Sequence, residues 1–136
     1  MARVLFLCSH NSARSQMAEG LLRAWGGPRF EVFSAGTEAT EVRPLAIRAM
    51  AEIGIDITGH TSKTIATFDG QEFDYAVTVC DDAREACPYF PGAGQQLHWS
   101  FEDPSAAAGS EDERLAVFRR VRDQIGERMK EFVRSA

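Results

Sequence analysis

Apolar residues fall along this chain in two alternating patterns, short continuous runs and stripes at helical spacing. Residues 3–7 (RVLFL) form a β-type run. Met17, Leu21, Leu22 and Trp25 then recur at helical spacing until Gly26, Gly27 and Pro28 stop the helix. Residues 30–34 predict a second strand, and Pro44 suits the first turn of a helix whose apolar positions Leu45, Ala49, Met50 and Ile53 end at Gly54. A short helix is predicted around residues 62–68, a third strand over 73–79 and a short fourth over 96–99. The last element has the clearest signal. Ser110 and Glu113 form a capping box, Leu115, Phe118, Val121, Ile125, Met129 and Phe132 make one apolar stripe, and Arg128, Lys130 and Arg134 complement the dipole at its end. Gly126 within that stripe is expected to cost about 1 kcal/mol relative to Ala.

Strands alternating with helices predict an α/β fold: a single-domain, three-layer sandwich over residues 1–136, with a four-stranded parallel sheet flanked by helices and right-handed crossovers. In such sheets ligands gather at the carboxyl ends of the strands. Cys8 follows the first strand, Cys80 the third, and Asp103 lies just beyond the fourth, so all three are expected on one edge.

Composition narrows the functional classes. The 136 residues are 44% hydrophobic, with no repeat or low-complexity tract; such a chain buries enough surface to fold without metal or disulfides, which frees its three cysteines for chemistry. A net charge of −5 argues against a general nucleic-acid surface, so any anion must be bound locally. The early apolar run over residues 4–8 is too short to cross a bilayer, no signal-type pattern appears, and an odd cysteine count suits a reducing compartment. A cytoplasmic, soluble, monomeric protein without membrane contact is expected.

The strongest chemical signal lies between the first strand and the first helix: Cys8, Ser9, His10, Asn11, Ser12, Ala13, Arg14 and Ser15. Successive amides at a helix N-terminus can curl around a tetrahedral oxyanion, and the guanidinium of Arg14 can hold two of its oxygens at once. Cys8 then points at the central atom, where the same amides and dipole favour its thiolate. Ser15 is placed to donate to that sulfur, and Asn11 suits a left-handed turn.

Residues 8–20, CSHNSARSQMAEG, resemble the active-site loop of the low-molecular-weight protein tyrosine phosphatase superfamily, and more closely its thioredoxin-coupled arsenate reductase branch. The resemblance extends through SAGTE (34–38), GIDITGHTSK (54–63), VTVCDDAREACP (77–88) and HWSFEDP (98–104). A phosphatase needs one nucleophilic cysteine, because water completes its cycle. Reducing arsenate to arsenite takes two electrons, which a dithiol supplies by becoming a disulfide. The resemblance therefore implies a relay: arsenate condenses with Cys8, Cys80 attacks the Cys8 sulfur as arsenite leaves, and Cys87 resolves the Cys8–Cys80 bond. The final Cys80–Cys87 disulfide is then reduced by thioredoxin, the segment between the two cysteines unwinding. Asp103, before Pro104, is the implied general acid.

Other readings stay open on these residues. Cys80 and Cys87 can be a packing residue and a surface thiol, or join His98 around zinc, although no second close Cys or His pair supports a metal and none is expected; nor is any cofactor. A phosphatase using Cys8, Arg14 and Asp103 alone is the runner-up enzyme, with residual phosphatase activity expected in either case and phosphate or sulfate competing with arsenate. A sensor whose anion occupancy and disulfide state control a partner is a third. Ser105, Ala106 and residues 37–42 supply none of the aromatic pocket walls of the phosphotyrosine enzymes, which favours a small inorganic anion. His10 is expected outside the loop, bonded to nearby backbone. The resemblance also implies a potassium site at Asn11, Ser15, Glu19 and the position of Lys63, where relatives carry Asp. The lysine is expected to pair with Glu19 in place of the cation. Met17, Leu21 and Leu22 are expected in the core, with Trp25 and Trp99 as packing anchors, and Glu41, Asp81, Asp82, Glu111 and Asp112 in solvent.

Overall fold

A computed structural model describes residues 1–81 and 86–136. Four strands, β1 (Ala2–Cys8), β2 (Phe30–Gly36), β3 (Phe73–Thr78) and β4 (Ala93–His98), form one parallel sheet in the order β2-β1-β3-β4. The helices are α1 (Arg14–Gly26), α2 (Pro44–Ala51) and α3 (Glu111–Ser135), with short 3-10 turns at Gly27–Arg29, Ile65–Phe68 and Pro104–Ala106.

β1 is the central strand, and its side chains alternate between two cores, as a pleated strand buried on both faces must. Val4, Phe6 and Cys8 face the larger core, built with Met17, Leu21 and Leu22 of α1, Leu45, Ala49 and Met50 of α2, and the α3 stripe. Leu5 and Leu7 face the smaller, with Ala35, Phe68, Phe73, Ala76 and Phe90. Among the described residues, three helices thus cover one face while a single 3-10 turn and a phenylalanine cluster cover the other. In that cluster Phe33, Phe68, Phe73 and Phe90 meet edge to face at 5.4–5.7 Å between ring centres.

The capping box of α3 is formed, Ser110 Oγ accepting from Glu113 N at 3.2 Å and Glu113 Oε1 from Ser110 N at 3.2 Å. Gly126 has a packing reason: a Cβ there would lie 3.2 Å from the Trp25 ring, so its absence lets α1 and α3 close on each other. Trp99 is buried as an anchor, whereas Trp25 keeps 41% of its surface exposed. β4 begins three residues earlier than the sequence pattern predicts, because Ala93, Gly94 and Gln95 carry no strand signal of their own and are held by pairing to β3 at the sheet edge. The short helix expected over 62–68 contracts to Ile65–Phe68.

Parallel order sends every strand's carboxyl end to one edge. Cys8 closes β1, Cys80 lies two residues beyond β3, and Asp103 follows β4. Leu7 pairs with Thr78, and Val79 N donates to Leu7 O at 2.9 Å, so Cys8 and Cys80 leave neighbouring strands in near register within the same core.

Candidate active site

The loop after β1 turns its carbonyls outward, one after another. Cys8 O accepts from Thr37 N (3.3 Å), Ser9 O from Glu38 N (3.0 Å) and Ser12 O from Arg43 N (2.9 Å). His10 O takes the hydroxyls of Thr40 and Ser62, both at 3.1 Å, Asn11 O takes Gln16 Nε2 at 3.1 Å, and Ala13 O takes Met17 N at 2.8 Å. In a planar trans peptide the N–H of the next residue points opposite the carbonyl. The amides of Ser9, His10, Asn11, Ser12, Ala13 and Arg14 therefore turn toward the interior of the loop, ahead of the α1 N-terminus. An inward ring of N–H groups at the positive end of a helix is a cradle that can take a tetrahedral oxyanion.

Asn11 carries the turn with φ of +49°, as its residue type suggested. Its side chain also fixes the direction of the hydrogen bonds beside Cys8. The Lys63 backbone N–H donates to Asn11 Oδ1 (2.8 Å), so the other end is the NH₂, which donates to Ser15 Oγ (2.8 Å) and Ser34 Oγ (3.0 Å). Ser34 Oγ in turn donates a hydrogen bond to the buried Glu19 carboxylate at 2.5 Å. Ser15, already an acceptor, has its proton left for Cys8 Sγ at 2.8 Å. Cys8 is 2% exposed, and its sulfur sits at the end of a chain of polarised bonds in the orientation a thiolate accepts.

Arg14, 3% exposed, is held by Phe101 O (3.1 Å from Nη1) and faces Asp103, whose Oδ2 lies 3.8 Å from Nη2. Asp103 Oδ1 accepts from Ser105 N at 2.9 Å, capping the 3-10 turn that Pro104 begins. The acid is thus kept beside the guanidinium with its second oxygen toward the mouth of the loop. A cavity of about 360 Å³ there is lined by Ser9, His10, Thr37, Glu38, Ala86 and Asp103, with no aromatic wall among the described residues.

Cys80 and Cys87 are joined in a disulfide, while Cys8 is a free buried thiol. Cys80 is fully buried, Cys87 packs partly exposed against the same core, and Tyr89 projects into solvent. His98 lies beside the pair, its Nδ1 2.6 Å from Thr78 Oγ1. The expected unwinding between the cysteines and the expected solvation of Asp82 fall on residues 82–85, outside the described residues.

Two expectations are corrected by the local packing. The His10 side chain is exposed, but it faces Glu38 Oε2 at 3.7 Å, and it is its carbonyl that engages the neighbouring loops. Lys63 does not make the direct pair with Glu19: Nζ donates to Thr61 O at 2.6 Å, and Arg23, one turn along α1, reaches Glu19 Oε2 at 2.9 Å. An i,i+4 partner on the same helix meets the carboxylate with less chain to order. Burial lowers the Lys63 pKa, Glu19 opposes that from a distance, and Arg23 adds to it. Burial likewise lowers the pKa of His60, whose Nδ1 meets Gln16 Oε1 at 3.0 Å.

Four contributors carried no chemical signal in the sequence beyond their motifs. Ser34 and Gln16 link the cradle to Glu19, to His60 and to Thr61 O. Gly36 lets the loop approach β2, since a Cβ would stand 2.7 Å from Asn11 N and 3.0 Å from Cys8 O. Glu38 both ties down Ser9 and lines the cavity. A lone serine and glycine ending an apolar strand (FEVFSAG) are the one hint of Ser34 and Gly36.

Residues 3–136 match the family of low molecular weight phosphotyrosine protein phosphatases. The arsenate reductase of Halalkalibacterium halodurans is 50% identical over 129 residues, 95% of this chain and 93% of its own. A solved arsenate reductase in the phosphate-binding state superposes with a TM-score of 0.85 at 36% identity, covering 99% of this chain and 98% of that one. A thioredoxin-dependent arsenate reductase of Corynebacterium glutamicum is similar at TM-score 0.67 and 29% identity, over 100% of this chain and 64% of that one.

Proposed function

Because the chain belongs to the low molecular weight phosphotyrosine protein phosphatase family, and a disulfide stands beside its loop cysteine, we propose that it reduces arsenate to arsenite by a three-cysteine relay. Arsenate sits on the inward amides of Ser9, His10, Asn11, Ser12, Ala13 and Arg14, with the Arg14 guanidinium holding its oxygens. The Cys8 thiolate, steadied by Ser15, attacks arsenic, and an oxygen leaves as water with a proton from Asp103. Cys80 then attacks Cys8 Sγ. The sulfur–arsenic bond breaks with its electron pair moving to arsenic, which departs as arsenite. Cys87 attacks Cys80 Sγ, releasing the Cys8 thiolate and leaving the Cys80–Cys87 disulfide. A dithiol reductant, thioredoxin, takes up that oxidised pair and becomes a disulfide itself.

The observation that carries this reading is the Cys80–Cys87 bond at the same sheet edge as a free Cys8. A phosphatase has no use for a second and third cysteine so placed, and among the described residues the cavity wall carries no aromatic ring to stack on an aryl ester. Phosphate and sulfate share the tetrahedral shape and are expected to compete, and slow phosphate-ester hydrolysis through Cys8, Arg14 and Asp103 is expected as a side activity.

A single turnover tests the relay. Fully reduced protein with excess arsenate and no reductant should release one arsenite per chain and end with a Cys80–Cys87 disulfide by mass spectrometry. Three free thiols and no arsenite would overturn it.

A further inference from the structure

The disulfide has a neighbour that the relay does not use. His98 closes β4 directly opposite Thr78 of β3, and its Nδ1 lies 2.6 Å from Thr78 Oγ1, which fixes the ring. One ring nitrogen of His98 and the two sulfurs of Cys80 and Cys87 lie within 4.8 Å of one another. Tetrahedral zinc with Zn–S bonds of about 2.3 Å needs neighbouring sulfurs about 3.8 Å apart, so the three donors are already gathered at the scale of a metal polyhedron.

We propose that, once the Cys80–Cys87 disulfide is reduced, the two sulfurs and a ring nitrogen of His98 form a site for one thiophilic divalent cation of the zinc class, and that its occupation stops the relay. Two thiolates and an imidazole are the donor set such ions prefer over magnesium or calcium. The hydroxyl of Thr78 orients the imidazole as the outer partner of a metal-bound histidine does. The donors grade from buried Cys80 through half-buried Cys87 to exposed His98, so the ion has an entry route from solvent on the His98 side.

The chemistry balances. A dithiol reductant delivers two electrons and two protons to the disulfide, giving two thiols. The incoming cation replaces those two protons, and no bond to Cys8 is involved. In the disulfide state the sulfurs have no thiolate to offer, so the site exists only in the reduced protein. The metal then holds Cys80, which must attack Cys8, and Cys87, which must afterwards close on Cys80. The spacing of six residues between the cysteines is wider than the two to four of structural zinc motifs, which suits a site that comes and goes with redox state.

Binding stands apart from the reductase reading; only the block on turnover rests on it. Protein reduced with a phosphine, desalted and titrated with Zn²⁺ against a chromophoric chelator should bind one equivalent, and the disulfide form none. Co²⁺ in its place should give a thiolate-to-metal charge-transfer band. His98→Ala should weaken binding by more than the 10–100-fold typical of losing an outer partner. Its metal-free single turnover should stay unchanged. Cys87→Ser should lose the band, which keeps the test valid if the His98 variant does not fold. Zinc should suppress arsenite release by the native chain, and a chelator should restore it. No zinc uptake by reduced protein, or equal affinity in the His98 variant, overturns the site. Arsenite release that continues undiminished with zinc bound overturns the block, and zinc uptake by a protein that releases no arsenite sinks the relay while leaving the site.

Discussion

The two ends of the relay are built in opposite ways. Around Cys8 the chain ties down every loop carbonyl from residue 8 to residue 13, using donors from the segment after β2, from Ser62 and from α1, and buries Asn11, Ser15, Gln16 and Glu19 to hold one sulfur. Around Cys87 there is an edge strand whose residues are mostly exposed, a half-buried sulfur and a projecting Tyr89. A sulfur that must discriminate one anion and exclude water needs a fixed shell; one that must be handed to another protein needs access. The difference shows where the fold spends its long-range contacts.

Cutting the two ends separately gives the largest expected effects. Cys8→Ser should abolish arsenite release altogether. Cys87→Ser should leave the first turnover intact, trap the Cys8–Cys80 disulfide and abolish the second turnover; mass spectrometry of the quenched variant reads the difference. If Cys87→Ser turns over repeatedly with thioredoxin, the exchange end has no role. Next, Arg14→Lys keeps the charge but loses the planar fork, and should lower kcat/KM by about 10²–10³-fold, the scale of one lost well-placed donor. Gly36→Ala sharpens the contrast from a position that touches no anion. Its methyl meets the Asn11 backbone at 2.7 Å, so it should destabilise the fold by about 1–3 kcal/mol and weaken phosphate binding, read by denaturant titration and calorimetry. An unchanged variant would mean that the cradle is softer than its hydrogen bonds imply.

Acid should loosen the structure in two steps. His60 has its pKa held below 6.5 by burial, so the unfolded chain binds the extra proton first and stability falls as pH drops below about 6.5. Glu52 is held down to about 2 from 4.5 by its hydrogen bonds to Arg119, so a second loss runs from 4.5 toward 2 as that carboxylate is protonated. Midpoints of urea unfolding from pH 8 to 3 should show both, and His60→Gln should erase only the first. The smallest effect expected is none. With Lys63 and Arg23 both placed around Glu19, potassium should not raise activity over sodium, and a large rise would show that a cation still finds the carboxylate.

The parts of this site readable in sequence are those whose geometry is local. Cys8, Asn11, Arg14 and Ser15 fall within one strand-turn-helix, so spacing alone places them, and the order of parallel strands then brings Cys80 and Asp103 to the same edge. Ser34, Gly36 and His60 act across 20 to 50 residues of chain, through contacts that no local pattern encodes. The Lys63 expectation had the right sign and the wrong partner, because a helix turn puts Arg23 nearer to Glu19 than any loop residue comes. The beginning of β4 was hidden for a related reason: Gly94 and Gln95 are strand residues only because β3 is beside them.

Since each carbonyl of the cradle already has its donor, an anion reaches a finished receptor and orders nothing on arrival. Occupancy should therefore raise the melting temperature by mass action alone, with about 2.7 kcal/mol of added stability at a hundred times Kd. The accompanying heat-capacity change should be small, without the large negative value that marks a segment folding around its ligand.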